Sequence, residues 1–381
     1  MKNKIIKTTQ ILWREVKRIA EREINFHLIR PTYAILFLTY RCTSKCKMCA
    51  MWQRGKNANI KDELSLDEWK KCIDELATMG ISTIEFFGGD ALLRKDVLIP
   101  LIEYAHHKGI FTEFPTNCNL LDRETITKII DAGLDVIWIS LDGIEETHDT
   151  IRGKTGTFAR VHKAITELQQ IKGQRQKPKI NINCVISKLN LYTFEDIIPY
   201  AAEMNIDAID FEYVGQIPLE SIYKSKINGL IPTPFFIPQK DSILLNEKEA
   251  RYLKKKLQQI RKISINKPRI NTTKIDFLST KNLINGQFPN KKCYICRNIV
   301  TIDPYGNVIG CLHFNNYLIG NIKQTPLHLI WRDHKHLTFI KAQTEGRIDI
   351  CKFCSNGVLR NYTPFQSLQS LYYEAFKKAK K

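Results

Sequence analysis

Between residues 31 and 215 the chain alternates six apolar segments with five amphipathic ones, and this alternation limits the folds open to it. The apolar segments have the length of strands and fall near residues 33–40, 82–87, 110–116, 134–141, 179–187 and 207–213. The amphipathic segments predict helices near 65–79, 95–108, 122–132, 158–172 and 192–204. Repeated strand–helix units imply parallel strands joined by right-handed crossovers. The pattern therefore predicts an α/β fold, a partial (β/α)6 TIM-like barrel with its ligands at the carboxyl ends of the strands.

Three cysteines, Cys42, Cys46 and Cys49, follow the first strand with the spacing C-x3-C-x2-C. Three thiolates on a short loop can hold three irons of a 4Fe–4S cluster and leave the fourth iron open to a small molecule. A zinc site and plain buried thiols are the alternatives. Zinc knuckles pair C-x2-C with a second pair of ligands, and nothing near the triplet supplies a fourth ligand. The triplet therefore predicts a cluster that takes part in chemistry.

Further motifs follow the later strands in a fixed order. Gly88-Gly89-Asp90 follows the second strand, Thr116-Asn117 the third and Ser140-Leu141-Asp142-Gly143 the fourth, and His148-Asp149-x-Ile151-Arg152-Gly153 comes soon after. Together with the cysteine triplet, these motifs resemble the signature of the radical S-adenosylmethionine (SAM) enzymes over roughly residues 31–215. The last two motifs are typical of the branch that carries a cysteine-rich C-terminal extension called SPASM, or Twitch in its shorter form.

The resemblance implies a set of SAM-binding residues, and their chemistry suits that ligand. They are Met48, Gly88, Gly89, Asp90, Asn117, Ser140, Asp142 and Arg152. Glycine lets the backbone approach a ligand closely, and Asp90 suits the amine of SAM. Ser140 and Asp142 offer acceptors for ribose hydroxyls, and Arg152 offers a forked donor for the carboxylate. Taken singly, each position could be a turn or a surface ion pair, but their joint order favours a SAM site.

The chain departs from the family pattern at two of these positions and at Cys118. Asp90 is one methylene shorter than the usual glutamate, so its contact with the amine is expected to be longer or bridged by water. Met48 stands where the family has an aromatic near the adenine, and methionine is apolar and adaptable enough to fill that place. Cys118 replaces the glycine of Thr-Asn-Gly and is expected to be a small buried residue. Cys72 and Cys184 are likewise expected in the core.

A second cysteine set lies in the C-terminal part of the chain: Cys293-x2-Cys296, Cys311 and Cys351-x2-Cys354. Between them, residues 303–306 predict a hairpin turn. The set resembles the first half of a SPASM domain, and the absence of cysteines after residue 354 resembles the Twitch form, which implies one auxiliary 4Fe–4S cluster. Cys311, Cys351 and Cys354 are the expected ligands, with Cys293 and Cys296 both open for the remaining place. A zinc ribbon is the alternative.

These observations divide the chain into four parts. Residues 1–30 predict a basic amphipathic helix, and residues 31–215 predict the radical SAM core barrel. Residues 216–290 are rich in proline and contain a charged helix, which indicates a linker or lid. Residues 291–381 predict a small α+β iron–sulfur domain of the SPASM/Twitch type.

Composition narrows the setting. The 381 residues include no uncharged apolar stretch long enough to span a bilayer, and the first residues do not form a secretory signal. Eleven cysteines in a non-secreted chain indicate metal or redox work, so the prediction is a cytoplasmic enzyme. The net charge of +19 suggests an anionic substrate or partner. The helix at residues 9–24 could lie on an anionic membrane, although a capping helix on the barrel is favoured. No nucleic-acid motif is present, so no nucleic acid is expected.

The resemblance also implies a reaction. A reductant such as flavodoxin or ferredoxin would deliver one electron to the first cluster, SAM would be cleaved to methionine and a 5′-deoxyadenosyl radical, and that radical would abstract hydrogen from a substrate. The main expectation is net oxidation or rearrangement of a small molecule such as an amino sugar. A peptide- or protein-modifying maturase is the alternative, lowered by the short segment before the first strand. A non-catalytic electron-transfer protein is a third hypothesis, disfavoured by the SAM-binding positions. No acid or base can be assigned.

Overall fold

A computed structural model describes residues 31–236, 242–263, 265, 267–289, 293 and 295–356. Within these residues, ten strands form one sheet. They are β1 (Tyr33–Phe37), β2 (Thr83–Phe87), β3 (Phe111–Thr116), β4 (Val136–Ser140), β5 (Lys179–Ile186), β6 (Ala208–Tyr213), β7 (Arg269–Asn271), β8 (Ile299–Ile302), β9 (Asn307–Ile309) and β10 (Leu318–Asn321). The six predicted strands are β1 to β6, each within a few residues of its expected bounds.

The α-helices of the described residues are α1 (Met51–Gly55), α2 (Leu66–Thr78), α3 (Lys95–His107), α4 (Arg123–Asp131), α5 (Glu145–Arg152), α6 (Thr157–Lys172), α7 (Ile197–Glu203), α8 (Leu219–Lys224), α9 (Glu247–Ile260), α10 (Thr273–Asp276), α11 (Thr280–Asn285), α12 (Ile295–Asn298), α13 (Leu327–Ile330) and α14 (His334–Thr344). Short 3-10 turns lie at Ile60–Asp62, Ala91–Arg94, Phe194–Asp196 and Asp349–Phe353. The five predicted crossover helices correspond to α2, α3, α4, α6 and α7.

The sheet is larger than the six-stranded barrel expected from the sequence. Its strand order is β10-β9-β8-β1-β2-β3-β4-β5-β6-β7. β1 to β6 run parallel, as predicted; β7 adds to β6 and β8 adds to β1, both also in parallel. The segment 216–290 is therefore more than a linker, because it contributes β7. A strand of three residues is too short to give a sequence signal of its own.

The alternation of side chains along β1 divides the interior in two. Ala34 and Leu36 are buried against the surrounding helices, where α2 contributes Trp69 and Ile73. Ile35, by contrast, belongs to a separate apolar cluster inside the barrel. Successive residues of a strand point to opposite faces, so the inner face of each strand supplies the walls of the barrel interior.

Two sequence expectations fall outside this description. The basic helix at residues 9–24 and the part of the predicted C-terminal domain after residue 356 lie beyond the described residues. Among the helices that the structure does describe, none is long and apolar enough to cross a membrane.

Candidate active site

The cysteine triplet opens into a cavity of about 230 Å³ at the carboxyl ends of the barrel strands. Cys42, Cys46 and Cys49 all line it, on the loop that follows β1. Burial raises the pKa of Cys42 to about 12 and that of Cys49 to about 11. Because a thiolate is the form that binds metal, iron must displace protons from these thiols when a cluster assembles.

The number of thiols at this site favours a cluster over zinc. Structural zinc is held by four ligands, whereas the loop after β1 brings three cysteines to the cavity. Three thiolates can hold three irons of a 4Fe–4S cluster and leave the fourth iron open. The three cysteines around a shared cavity therefore fit the cluster.

Gly88 and Gly89 bring the end of β2 against the cysteine loop. A Cβ at Gly88 would lie 2.5 Å from the carbonyl oxygen of Thr39, and one at Gly89 would lie 2.2 Å from that of Arg41. The backbone N–H of Gly89 donates to Thr39 at 2.9 Å, and that of Asp90 donates to Arg41 at 2.8 Å. Both glycines also line the cavity. Their lack of a side chain is required by this backbone contact, in addition to any approach by a ligand.

The Asp90 carboxylate is buried at the wall of the same cavity. Thr43 Oγ1 donates to it at 2.5 Å, and the N–H of Leu92 donates at 3.2 Å. Burial raises the pKa of Asp90, and these two hydrogen bonds oppose that rise. Asn117 Nδ2 donates to Thr43 Oγ1 at 3.1 Å and so joins the network. Thr43 is a residue that sequence reasoning missed, since its place between two cysteines gives no signal.

The remaining predicted side chains divide between the cavity and the core. Met48, Asn117, Ser140 and Arg152 line the cavity. Asp142, from which the sequence predicts a contact with ribose hydroxyls, does not line it. Its side chain is fully buried, with Oδ1 accepting the N–H of Val185 at 2.9 Å. Ser140 is the last residue of β4, so Asp142 lies beyond the strand and no longer follows its inward alternation.

Arg152 forms an ion pair with the other oxygen of the Asp142 carboxylate. Its Nη2 lies 2.6 Å from Asp142 Oδ2, and its Nη1 lies 3.7 Å from Cys46 Sγ. Burial lowers the pKa of Arg152, but the Asp142 carboxylate and the Cys46 sulfur outweigh it and raise the pKa above its usual range. Its Nε is buried without a hydrogen-bond partner in the described part of the chain. Arg152 therefore holds a fixed positive charge and an unused donor beside the cysteines, as a ligand carboxylate would require.

The motif around Arg152 fastens α5 to the cysteine loop. His148 Nδ1 accepts the backbone N–H of Asp142 at 3.2 Å, and burial lowers the pKa of His148 to about 3, so it is a neutral acceptor. The carbonyl of Ile151 accepts the N–H of Lys47 at 2.9 Å. A Cβ at Gly153 would lie 2.5 Å from a carbonyl oxygen of the cysteine loop. The sequence marked this motif, but it did not predict helix α5 or these contacts.

The second cysteine set forms a separate small cavity of about 30 Å³. Cys293, Cys311, Cys351 and Cys354 line it. Cys296 does not, because it lies on α12 in the apolar core and is 4% exposed. Burial raises the pKa of Cys311 to about 12. Of the two cysteines that the sequence left open, the structure places Cys293 with the other three.

A central cavity of about 320 Å³ lies between the two cysteine sites. It shares the walls Phe87, Pro115, Asn183, Val185, Glu212, Phe235 and Phe236 with the cavity at the triplet. It shares Ile295, Leu312 and Asn356 with the small cavity of the second set. A molecule in the central cavity would therefore face both sites.

The central cavity carries more negative than positive charge. Glu85, Glu113, Asp210 and Glu212 line it together with Lys274. The Nζ of Lys274 lies 3.3 Å from Asp210 Oδ2 and also pairs with Glu212. Glu113 instead accepts hydrogen bonds from two neutral groups, Tyr33 Oη at 2.6 Å and the indole N–H of Trp138 at 2.8 Å. The chain's strong positive charge, which suggested an anionic substrate, is thus not repeated on these walls.

Comparison with known proteins agrees with this geometry. The sequence profile of the radical SAM superfamily matches residues 36–198, and the profile of SPASM, an iron-sulfur cluster-binding domain, matches residues 293–355. The chain therefore contains a radical SAM domain followed by a SPASM domain. The first match supports binding of SAM and a 4Fe–4S cluster by the barrel, and the second supports iron–sulfur binding by the C-terminal domain.

Three curated relatives differ in how much of the chain they match. The Fe-coproporphyrin III synthase of Methanosarcina barkeri is 32% identical over 53% of this chain and 48% of its own length. A PqqA peptide cyclase of Rhodopseudomonas palustris is 33% identical over 47% of this chain and 46% of its own length. These matches span about half the length of those relatives. The AdoMet-dependent heme synthase of M. barkeri is 25% identical over 86% of this chain and 91% of its own.

Solved structures share the fold at low sequence identity. Streptococcus suis SuiB bound to S-adenosylmethionine superposes with a TM-score of 0.61 at 16% identity, covering 93% of this chain and 80% of SuiB. Native anSMEcpe with bound AdoMet gives 0.61 at 16% identity, covering 91% and 98%. Both confirm an α/β fold with a partial parallel barrel and a small C-terminal domain.

Proposed function

We propose that this chain, which belongs to the radical SAM superfamily and carries a SPASM domain, oxidises a side chain of a peptide or protein. The observation that carries the proposal is the central cavity, which borders the triplet site on one side and the second cysteine site on the other. When bound, the cofactors would supply reductive cleavage of SAM to methionine and a 5′-deoxyadenosyl radical, and that radical would abstract a hydrogen atom from the substrate. The substrate radical would then lose a proton and an electron, and the auxiliary cluster would take up the electron. An external reductant such as flavodoxin or ferredoxin would provide the first electron.

The residues of the chain would hold and orient these groups. Cys42, Cys46 and Cys49 would ligate three irons, and Arg152 would bind the SAM carboxylate through the Nε donor that the described residues leave without a partner. Asp90, already held by Thr43, would face the SAM amine. Positioning and exclusion of water are the protein's share of such chemistry.

Phe235 and Phe236 would close the central cavity. Phe235 is buried, its carbonyl accepts the N–H of Ala50, next to Cys49, and the carbonyl of Phe236 accepts the N–H of Ile217. Both rings lie on walls shared by the triplet cavity and the central cavity. They would separate a reactive radical from bulk water while leaving the two cavities in contact.

A peptide side chain fits both the volume and the charge of the central cavity. A volume of about 320 Å³ is near the lower end for ligand pockets, so a single side chain is a better match than a large planar ring. The excess of carboxylates over Lys274 favours an uncharged or cationic group. A PqqA peptide cyclase among the relatives supports the same class.

A carboxylate-bearing tetrapyrrole is the second candidate, favoured by the heme synthase that matches most of the chain. The acidic walls of the central cavity count against a substrate with several carboxylates, since like charges at short range repel in a low-dielectric interior. The two candidates differ in a measurable way, because one product is a modified peptide and the other a modified porphyrin.

SAM cleavage tests the class. Anaerobically reconstituted protein with dithionite should yield 5′-deoxyadenosine and methionine, Cys46→Ala should abolish both products, and Cys184→Ala, at a buried cysteine away from both cavities, should not. Cleavage that persists when all three triplet cysteines are replaced contradicts the proposal.

The substrate is tested by offering peptide mixtures and Fe-coproporphyrin III separately and measuring products by mass spectrometry. A peptide that loses two hydrogen atoms only with active protein supports the first candidate. Turnover of the porphyrin, with no peptide modified, would instead establish the second.

A further inference from the structure

One buried histidine beside the second cysteine set has a ring that the described residues leave without a hydrogen bond. His313 follows Cys311 by two residues and is 1% exposed. Neither Nδ1 nor Nε2 has a hydrogen-bond partner in the described residues. A neutral imidazole always carries one N–H and one acceptor nitrogen, and leaving both buried and unpaired is unfavourable. The site therefore calls for a group that the described residues do not provide.

The surroundings of the ring point to where that group lies. His313 lines the small cavity together with Cys293, Cys311, Cys351 and Cys354. Its other faces are covered by aromatic rings, with the centroids of Phe235 and Phe236 each 4.9 Å away. Aromatic faces cannot replace a strong hydrogen-bond acceptor for a ring N–H. Among the described surroundings of His313, the cavity of the four cysteines is therefore the remaining direction for it.

A second histidine in the same domain shows the usual solution. His336 is also buried, yet one ring nitrogen lies 2.7 Å from the carbonyl oxygen of Cys296 and the other contacts the carbonyl of Trp331. Both ring nitrogens of this buried histidine thus have backbone carbonyl groups as hydrogen-bond partners. The difference at His313 is its position on the cysteine cavity.

We propose that His313 donates its ring N–H to a sulfur of the auxiliary cluster held by Cys293, Cys311, Cys351 and Cys354. Four thiolates already supply a ligand for each of four irons, so the imidazole is not needed as a ligand. Sulfur in a cluster carries negative charge and accepts such bonds; the backbone N–H of His313 itself lies 3.4 Å from Cys311 Sγ. The inference rests on the proposed auxiliary cluster and adds a positioning residue to it.

The consequence is a higher reduction potential. Reduction adds negative charge to the cluster, and a hydrogen bond to sulfur stabilises the reduced form more than the oxidised one. Because Phe235 and Phe236 also line the central cavity, His313 lies in the wall between cluster and substrate. The hydrogen bond would therefore favour electron acceptance from the substrate side.

The test is a redox titration of the auxiliary cluster, followed by electron paramagnetic resonance, in full-length protein whose triplet cysteines are replaced by alanine. In that background His313→Phe, which keeps a ring but no N–H, should shift the reduction equilibrium at least tenfold toward the oxidised form, about 59 mV for one electron. His313→Gln, which retains a donor, should recover most of that shift. His336→Gln is the matched control and should change the equilibrium less than twofold.

A second measurement needs no variant at position 313. Pulsed electron paramagnetic resonance on protein labelled with histidine that carries 15N only in the imidazole ring should show a weak nitrogen coupling to the reduced cluster, because such labelling leaves out the backbone N–H of His313 near Cys311 Sγ. The proposed hydrogen bond is overturned if no nitrogen coupling is seen, or if the reduction equilibrium is unchanged in His313→Phe. A strong coupling, typical of iron–nitrogen ligation, would also overturn it and would show that the His313 ring is an iron ligand. A background protein that binds no iron would refute the auxiliary cluster itself and so the proposed function.

Discussion

Replacing Asp142 by asparagine should substantially lower the free energy of unfolding, although Asp142 does not line the cavity at the triplet. The new side chain would keep an oxygen to accept the Val185 N–H, but it would turn an amide nitrogen toward Arg152 Nη2, now 2.6 Å from Asp142 Oδ2. The Asp142 side chain is fully buried and that of Arg152 is 11% exposed. Removing one partner of a buried ion pair leaves the other charge uncompensated and costs about 3–5 kcal/mol.

That cost is a large share of the stability of a typical domain, about 5–15 kcal/mol. The assay is urea unfolding of the iron-free protein under reducing conditions, so that cluster loss does not mask the effect. The matched control is Asp122→Asn. Asp122 pairs with Lys95 at 3.0 Å, but its side chain is 63% exposed and it caps α4, a position that asparagine also fills well. The control should cost about 0–1 kcal/mol.

The same variant should also weaken SAM binding, because Arg152 would no longer be held toward the cavity. Isothermal titration of reconstituted protein with SAM measures this directly. If Asp142→Asn unfolds at the same urea concentration as Asp122→Asn and binds SAM as well as wild type, then Asp142 does not position Arg152 and its buried contacts have been misjudged.

The remaining predictions concern metal content, backbone fit and pH. Iron analysis should give roughly eight irons per chain for wild type and for Cys296→Ala, but about four for Cys293→Ala; equal losses in both variants would undo the ligand assignment. Gly89→Ala should lower cluster content and stability by more than about 2 kcal/mol, since its Cβ would lie 2.2 Å from a backbone oxygen of the cysteine loop, whereas Gly109→Ala, with open space around it, should keep its iron. His148 has a folded-state pKa near 3 and an unfolded value near 6.5, so its contribution is fully present above pH 6.5 and is lost as the pH falls toward 3. Between these pH values the free energy of unfolding of the iron-free protein should fall by on the order of 4–5 kcal/mol. In His148→Gln it should change less with pH.

The parts of the fold that the sequence predicts well are those with repeated local signals. Six apolar segments and five amphipathic ones gave strands and helices close to their observed bounds, because period and length distinguish the two. The hairpin at residues 303–306 was likewise confirmed, with Gly306 at a φ of +86°. Cys118 is buried, as expected, and its φ of +62° explains why the family has glycine there.

The parts that the sequence could not give depend on distant contacts. The buried position of the Asp142 side chain depends on its contacts with Arg152 and Val185, which are ten and forty-three residues away in sequence. The choice between Cys293 and Cys296 depended on which side of α12 faces the core, which a C-x2-C spacing does not encode. β7 is too short to stand out and forms only because the edge of β6 offers it a partner.

The two cysteine sites lie at opposite ends of one pair of strands, and this explains how a single cavity can border both. β1 and β8 pair in parallel, Tyr33 opposite Ile299, so their carboxyl ends lie at the same edge of the sheet. The triplet follows the carboxyl end of β1, whereas Cys293 precedes the amino end of β8. β9 runs back antiparallel to β8, which returns Cys311 to that amino end. Ligands of such barrels usually lie at the carboxyl ends of the strands; the second site departs from that rule because its domain extends the barrel sheet past β1. Under the proposed function, the barrel interior between the two ends, with Ile35 on its wall, is the place where a substrate would meet SAM on one side and an electron acceptor on the other.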